Sequence, residues 1–122
     1  MSRPVFFDLL RIQMPVGALT SITHRVSGVL LALGIPLGLY ALQCSLASEP
    51  SYAQLASLAT RPLFKAAVIL WVWALSHHLL AGVRHLLMDV GVGSYLPQAR
   101  RSAWAVNIGG FAMALLTAGA VW

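Results

Sequence analysis

Three long runs of this chain contain no Lys, Arg, Asp or Glu: residues 26–48, 66–83 and 102–122. No other feature narrows the fold as far. At a rise of about 1.5 Å per residue, the first run makes a helix long enough to cross a hydrocarbon core of roughly 30 Å. The second is short for a span, but Arg61 and Lys65 before it and Arg84 after it can extend the helix outwards, their long side chains reaching for the headgroups. Composition agrees: 59% of the 122 residues are hydrophobic and 9% are charged, far from the usage of a soluble domain. The expectation is an all-α integral membrane protein. Its single transmembrane domain, 1–122, has three helices near 17–47, 61–90 and 102–122.

A short interfacial segment is expected ahead of the first helix. Residues 3–15 mix Phe6, Phe7, Leu9, Leu10 and Ile12 with Asp8 and Arg11 and stop at Pro15, a composition suited to lying along the headgroups. The segment lacks the uninterrupted apolar core and cleavage site of a signal peptide, so it is expected to stay on the protein. "SEPSYAQLAS" reads as the outer turn and "GVGSYLPQARR" as the inner loop. Pro36 should kink the first helix without ending it. Cys44, the single cysteine, cannot form an internal disulfide and reads as a packing residue.

The net charge of +5 does not form a nucleic-acid face. The eight basic residues stand at helix ends, and no soluble surface gathers them. Arg3, Arg11, Arg25, Arg84, Arg100 and Arg101 fall on one side of the expected spans, and Arg61 and Lys65 on the other. The positive-inside rule then puts the N-terminus in the cytoplasm and Trp122 outside.

Ionisable side chains within a span are costly and mark candidate sites. His78 and His85 are seven residues apart and share one face of the second helix, while His77 and Arg84 form a second stripe rotated by about 100°. On the first helix, Ser21, Arg25 and Gly28 follow helical spacing, with His24 beside them. Two antiparallel helices would bring Ser21, His24, Arg25, Arg84 and His85 into one layer, with His78 deeper. A neutral imidazole below a belt of cationic donors suits a b-type haem, whose iron takes a histidine nitrogen and whose propionates seek Arg or His. His78 could equally be a histidine hydrogen-bonded across helices. If haem is held between two histidines, the second ligand must come from another chain, because His78 and His85 lie too far apart on one helix to share an iron. Ser21 and Arg25, one turn apart at the membrane edge, suit the carbonyl of a quinone; packing and membrane anchoring account for them as well.

Two stretches carry a resemblance. "RPVFFDLLRIQMPVGALTSITHRVS" resembles the N-terminal signature of the cytochrome b subunits of succinate dehydrogenase, with Arg3-Pro4, Ser21, His24-Arg25 and Ser27 in the family's spacing. "HLLAGVRHLLMDVG", from His78, resembles their second signature, with Gly82, Arg84-His85, Asp89 and Gly91. The resemblance implies a membrane-anchor subunit of respiratory complex II, working beside a second anchor, an iron-sulfur subunit and a flavoprotein in the bacterial inner membrane. By the same resemblance His78 is an axial haem b ligand, with the other supplied by the companion anchor. His24, Arg25 and His85 would surround the propionates, with Arg84 near them, and Ser21 and Arg25 would face ubiquinone. His77 falls outside the motif and reads as packing or local hydrogen bonding. No residue of this chain is expected to be catalytic by itself.

Two other readings have specific counter-signals. A fumarate reductase anchor would carry the same features, since one anchor does not set the direction of electron flow. A small multi-helix transporter would need an acidic residue within a span, whereas Asp8, Glu49 and Asp89 all lie at edges.

Overall fold

The fold follows from how each helix starts and stops. The structure, a computed structural model, describes residues 14–122. Most of the expected interfacial segment, with Arg3, Asp8 and Arg11, lies outside the described residues. Helix α1 (Val16–Ala47) runs unbroken through Pro36. α3 (Pro62–Asp89) and α4 (Leu96–Val121) each place a proline in the first two positions, where a missing N–H costs no intrahelical hydrogen bond.

Between α1 and α3 lies a helix that the sequence reading treated as a turn. α2 (Glu49–Ala59) is capped by Ser48, whose hydroxyl accepts from the Ser51 N–H at 3.2 Å. Glu49 and Pro50 occupy its first turn, a favourable charge and a favourable backbone there. The Ser51 hydroxyl in turn donates to the Cys44 carbonyl at 2.7 Å, tying α2 to the last turns of α1. The signal was present in "SEPS" but was masked by the polar character of the stretch.

α3 ends in a Schellman motif. Val92 N–H reaches the Leu87 carbonyl at 2.8 Å and Gly91 N–H reaches Met88 at 3.0 Å, with Gly91 at φ +82, the left-handed conformation that glycine adopts without a steric cost. α4 then starts at Leu96 rather than at Ser102. Arg100 and Arg101 are carried inside the helix with their side chains exposed, so they do not mark its boundary.

α1, α3 and α4 are 32, 28 and 26 residues long and apolar enough to cross a membrane, or about 48, 42 and 39 Å. Their packing is inverted relative to a soluble bundle. Apart from Leu31 and Val106 the buried positions are small or polar, Thr20, Ser27, Ala74, His77, Ala81, Arg84, Ala103 and Gly110 among them, whereas Leu33, Leu37, Leu63, Leu86 and Leu116 are exposed. Lipid solvates leucine as well as a protein interior does, so helices associate through close contact and hydrogen bonds instead. At the far end of the bundle, Lys65 Nζ stands 5.4 Å from the centroid of the Trp122 ring, joining the start of α3 to the end of α4.

Close contact depends on glycine at two crossings. A Cβ on Gly109 would stand 2.9 Å from Leu80 Cδ1, and one on Gly34 would overlap the Trp71 indole nitrogen. Gly38, one turn further along α1, meets nothing within 4 Å. Gly34→Ala should therefore destabilise by about 1–3 kcal/mol through overpacking, seen as a lowered thermal midpoint in detergent. Gly38→Ala should leave that midpoint unchanged or raised.

Candidate functional site

The two stripes of α3 face different neighbours. His78 and His85 turn towards His24 of α1, whereas Arg84 turns towards α4 and His77 lies between α1 and α4. His24 stacks on His78 with ring centroids 4.2 Å apart and planes 15° from parallel, and meets His85 edge-on at 5.0 Å. Helical spacing puts His24 in a layer above His78. The helix crossing at Gly28 draws the two rings into direct contact.

The hydrogen bonds of His78 determine its tautomer. Nδ1 lies 3.1 Å from the His24 carbonyl oxygen and 3.2 Å from Ser27 Oγ. A carbonyl oxygen only accepts, and the Ser27 hydroxyl donates its proton to the same His24 carbonyl at 2.8 Å. Nδ1 therefore carries the proton and donates, and Nε2 is left with a free lone pair. The ring lies close against α1 because residue 28 is glycine: a Cβ there would stand 3.0 Å from His78 Cε1. His24 Nε2 is buried without a partner, facing Gly82 across 3.7 Å to the point where a Cβ would stand.

His77 is only 2% exposed and belongs to a separate network. Its Nε2 lies 3.0 Å from Thr23 Oγ1 and 3.1 Å from Asn107 Oδ1, and the Thr20 hydroxyl shares its proton between the Val16 carbonyl at 2.9 Å and Asn107 Oδ1 at 3.2 Å. The amide oxygen accepts from both, so the His77 proton sits on Nε2. Thr20 and Asn107 were not anticipated. Their only signal was a polar side chain inside an apolar run.

Arg84, 8% exposed, donates from Nε to Ser102 Oγ at 2.9 Å and from Nη2 to the Ala99 carbonyl at 3.1 Å. It thus binds α4 and does not join the histidine cluster by a hydrogen bond. An apolar cavity of about 300 Å³ opens beside it, lined by Leu80, Val83, Leu87, Ala105 and Val106. Ser21 is half-buried and Arg25 exposed on α1, and among the described residues no hydrogen bond occupies either side chain. Among the described residues no three of His, Cys, Asp and Glu converge to hold a metal ion directly.

Comparison with known proteins shows the family of the chain. The family described as succinate dehydrogenase/fumarate reductase transmembrane subunit matches residues 1–117. A succinate dehydrogenase cytochrome b556 subunit from Coxiella burnetii is 40% identical over 121 residues, covering 98% of this chain and 95% of that relative. The subunit of the same name from Paracoccus denitrificans is 35% identical over 117 residues, covering 95% and 89%. A mitochondrial cytochrome b560 subunit from Mus musculus is 38% identical over 101 residues, covering 81% of this chain and 57% of that relative. With a family match over nearly its whole length and relatives of this identity, the chain belongs to the succinate dehydrogenase/fumarate reductase transmembrane subunits, the non-catalytic membrane anchors of that complex.

Proposed function

We propose that this multi-pass membrane subunit holds haem b through His78, contributes Ser21 and Arg25 to a ubiquinone-reduction site, and docks the flavoprotein and iron-sulfur subunits of succinate dehydrogenase to the membrane. The observation that carries the reading is the state of His78. Its Nδ1–H is spent on the His24 carbonyl and Ser27 hydroxyl, which leaves Nε2 as a lone-pair donor. Histidines that bind metal characteristically give their second ring N–H to such an oxygen, which fixes the tautomer and the ring plane.

Two further features of the structure fit the group. Gly28 and Gly82 leave space against His78 and His24 that a Cβ would narrow, and His24 Nε2 is a buried polar atom in want of a partner. His24, Arg25 and His85 are the donors we assign to the propionates, with Arg84 adding positive charge at the same end of α3. Haem b bound there supplies a one-electron iron couple. The second histidine ligand would come from the companion anchor: among the described residues His77 Nε2 is engaged by Thr23 and Asn107, His24 stacks on the His78 ring, and His85 stands two turns from His78 on the same helix.

For the quinone, Ser21 offers a hydroxyl and Arg25 a guanidinium one helical turn away. As a quinone carbonyl gains electrons its oxygen becomes anionic, and a fixed cationic donor stabilises that charge more than it stabilises the neutral carbonyl. The basic ends of the helices support a cytoplasmic N-terminus in the bacterial inner membrane. On that orientation the Ser21–Arg25 edge lies on the side where soluble subunits dock. The family description also names fumarate reductase, whose anchors would use the same donors in the reverse direction.

His78→Ala should remove or displace the reduced-haem absorption bands of the purified complex; an unchanged spectrum would overturn the assignment. Ser21→Ala and Arg25→Leu should lower quinone reduction by about tenfold or more, as expected on losing a charge-assisted contact in the transition state. Succinate oxidation by a soluble artificial acceptor should stay near the parent rate. Equal loss in both assays would show damaged assembly rather than a damaged quinone site.

A further inference from the structure

Residues 77 and 78 are two identical side chains in succession, and α1 offers a hydroxyl to each. Thr23 lies against His77 Nε2 at 3.0 Å and Ser27 against His78 Nδ1 at 3.2 Å. The two hydroxyls are four residues apart, one turn, on the same face of α1. A row of hydroxyls alone thus distinguishes poorly between the two rings. What separates them is α4: Asn107 accepts from His77 Nε2 at 3.1 Å and from Thr20 at 3.2 Å. The α4 backbone also closes on this histidine, a Cβ on Gly110 standing 3.1 Å from His77 Cβ. No α4 residue has a hydrogen bond to His78 among the described residues.

We infer that Asn107, Thr20, Thr23 and His77 are positioning residues that set the rotation of α3, so that His78 and not His77 faces the haem side and presents Nε2 there. The inference rests on the reading of His78 as haem ligand. The physical basis is that a buried polar group must be satisfied or incur a desolvation cost, so a three-helix polar contact permits one rotation and penalises the rest. Such a contact adds less to stability than to register, the best-attested role of buried polar residues between helices.

The test uses the intact, detergent-purified complex and reads the low-spin ferric EPR signal and the haem midpoint potential. Both respond to the orientation and hydrogen bonding of the axial imidazole. His77→Leu and Asn107→Leu should retain haem but shift the EPR signal and the potential. His77→Gln, which keeps an N–H donor at similar reach, should restore the parent values. The pair His77→Leu with Asn107→Leu removes both polar partners, so it should recover the thermal stability lost in the single variants while the haem signals stay shifted. A purely structural role predicts that the signals return with the stability, and that result would overturn the inference. So would unchanged EPR and potential in all these variants. If the leucine variants do not assemble, Thr23→Val is read in their place, a shift supporting the inference and its absence overturning it. His78→Ala serves as the control for the underlying reading: haem retained unchanged there defeats the ligand assignment itself, whatever His77 does.

Discussion

Two hydroxyls one turn apart on α1 hold two consecutive histidines of α3, and the site is organised around that contact. In lipid there is no hydrophobic force to bring α1 and α3 together, and an interhelical hydrogen bond contributes roughly 0.6–2 kcal/mol. The buried positions Thr20, Ser27 and His77 therefore do what leucines do in a soluble core. They also do more than hold helices together. By donating its own proton to the His24 carbonyl, Ser27 becomes an acceptor for His78 and decides which nitrogen of that ring stays free.

That division of labour explains why so polar a stretch of α3 is stable in a membrane. His77 Nε2 and the Arg84 guanidinium find partners inside the chain on α1 and α4, although His77 Nδ1, like His24 Nε2, is buried without one. His78, His24 and His85 are clustered yet incompletely satisfied, His24 Nε2 having no partner at all. A site left with open donors and acceptors on one side is what a subunit contributes when the remainder belongs to its neighbours. The exposed leucines along α1, α3 and α4 give both lipid and companion helices a surface to cover.

Much of this was legible in the sequence because helical spacing and charge-free length are local properties. The three spans follow from charge-free length, and the separate stripes of His78–His85 and His77–Arg84 from periodicity. α2 was misread because its polar residues look like a turn, although Ser48, Glu49 and Pro50 spell a helix start. The charge-free run puts the beginning of α4 at Ser102, past Arg100 and Arg101, whereas long cationic side chains ride on the surface of a helix that starts at Leu96. The direction of Arg84 and the stacking of His24 on His78 depend on how far one helix is rotated against another, which no single helix encodes. Asn107 was invisible for the same reason: its importance comes from meeting His77 and Thr20, two partners on two other helices.

The central claim is that His78 Nε2 is an axial ligand of the haem and that a histidine of another chain completes the pair. Near-infrared magnetic circular dichroism of the oxidised complex distinguishes pairs of axial ligands by the energy of a charge-transfer band. The parent complex should show the bis-histidine band, and His78→Met should move it to the position characteristic of a histidine–methionine pair. A His78→Met complex that retains the bis-histidine band would contradict the account.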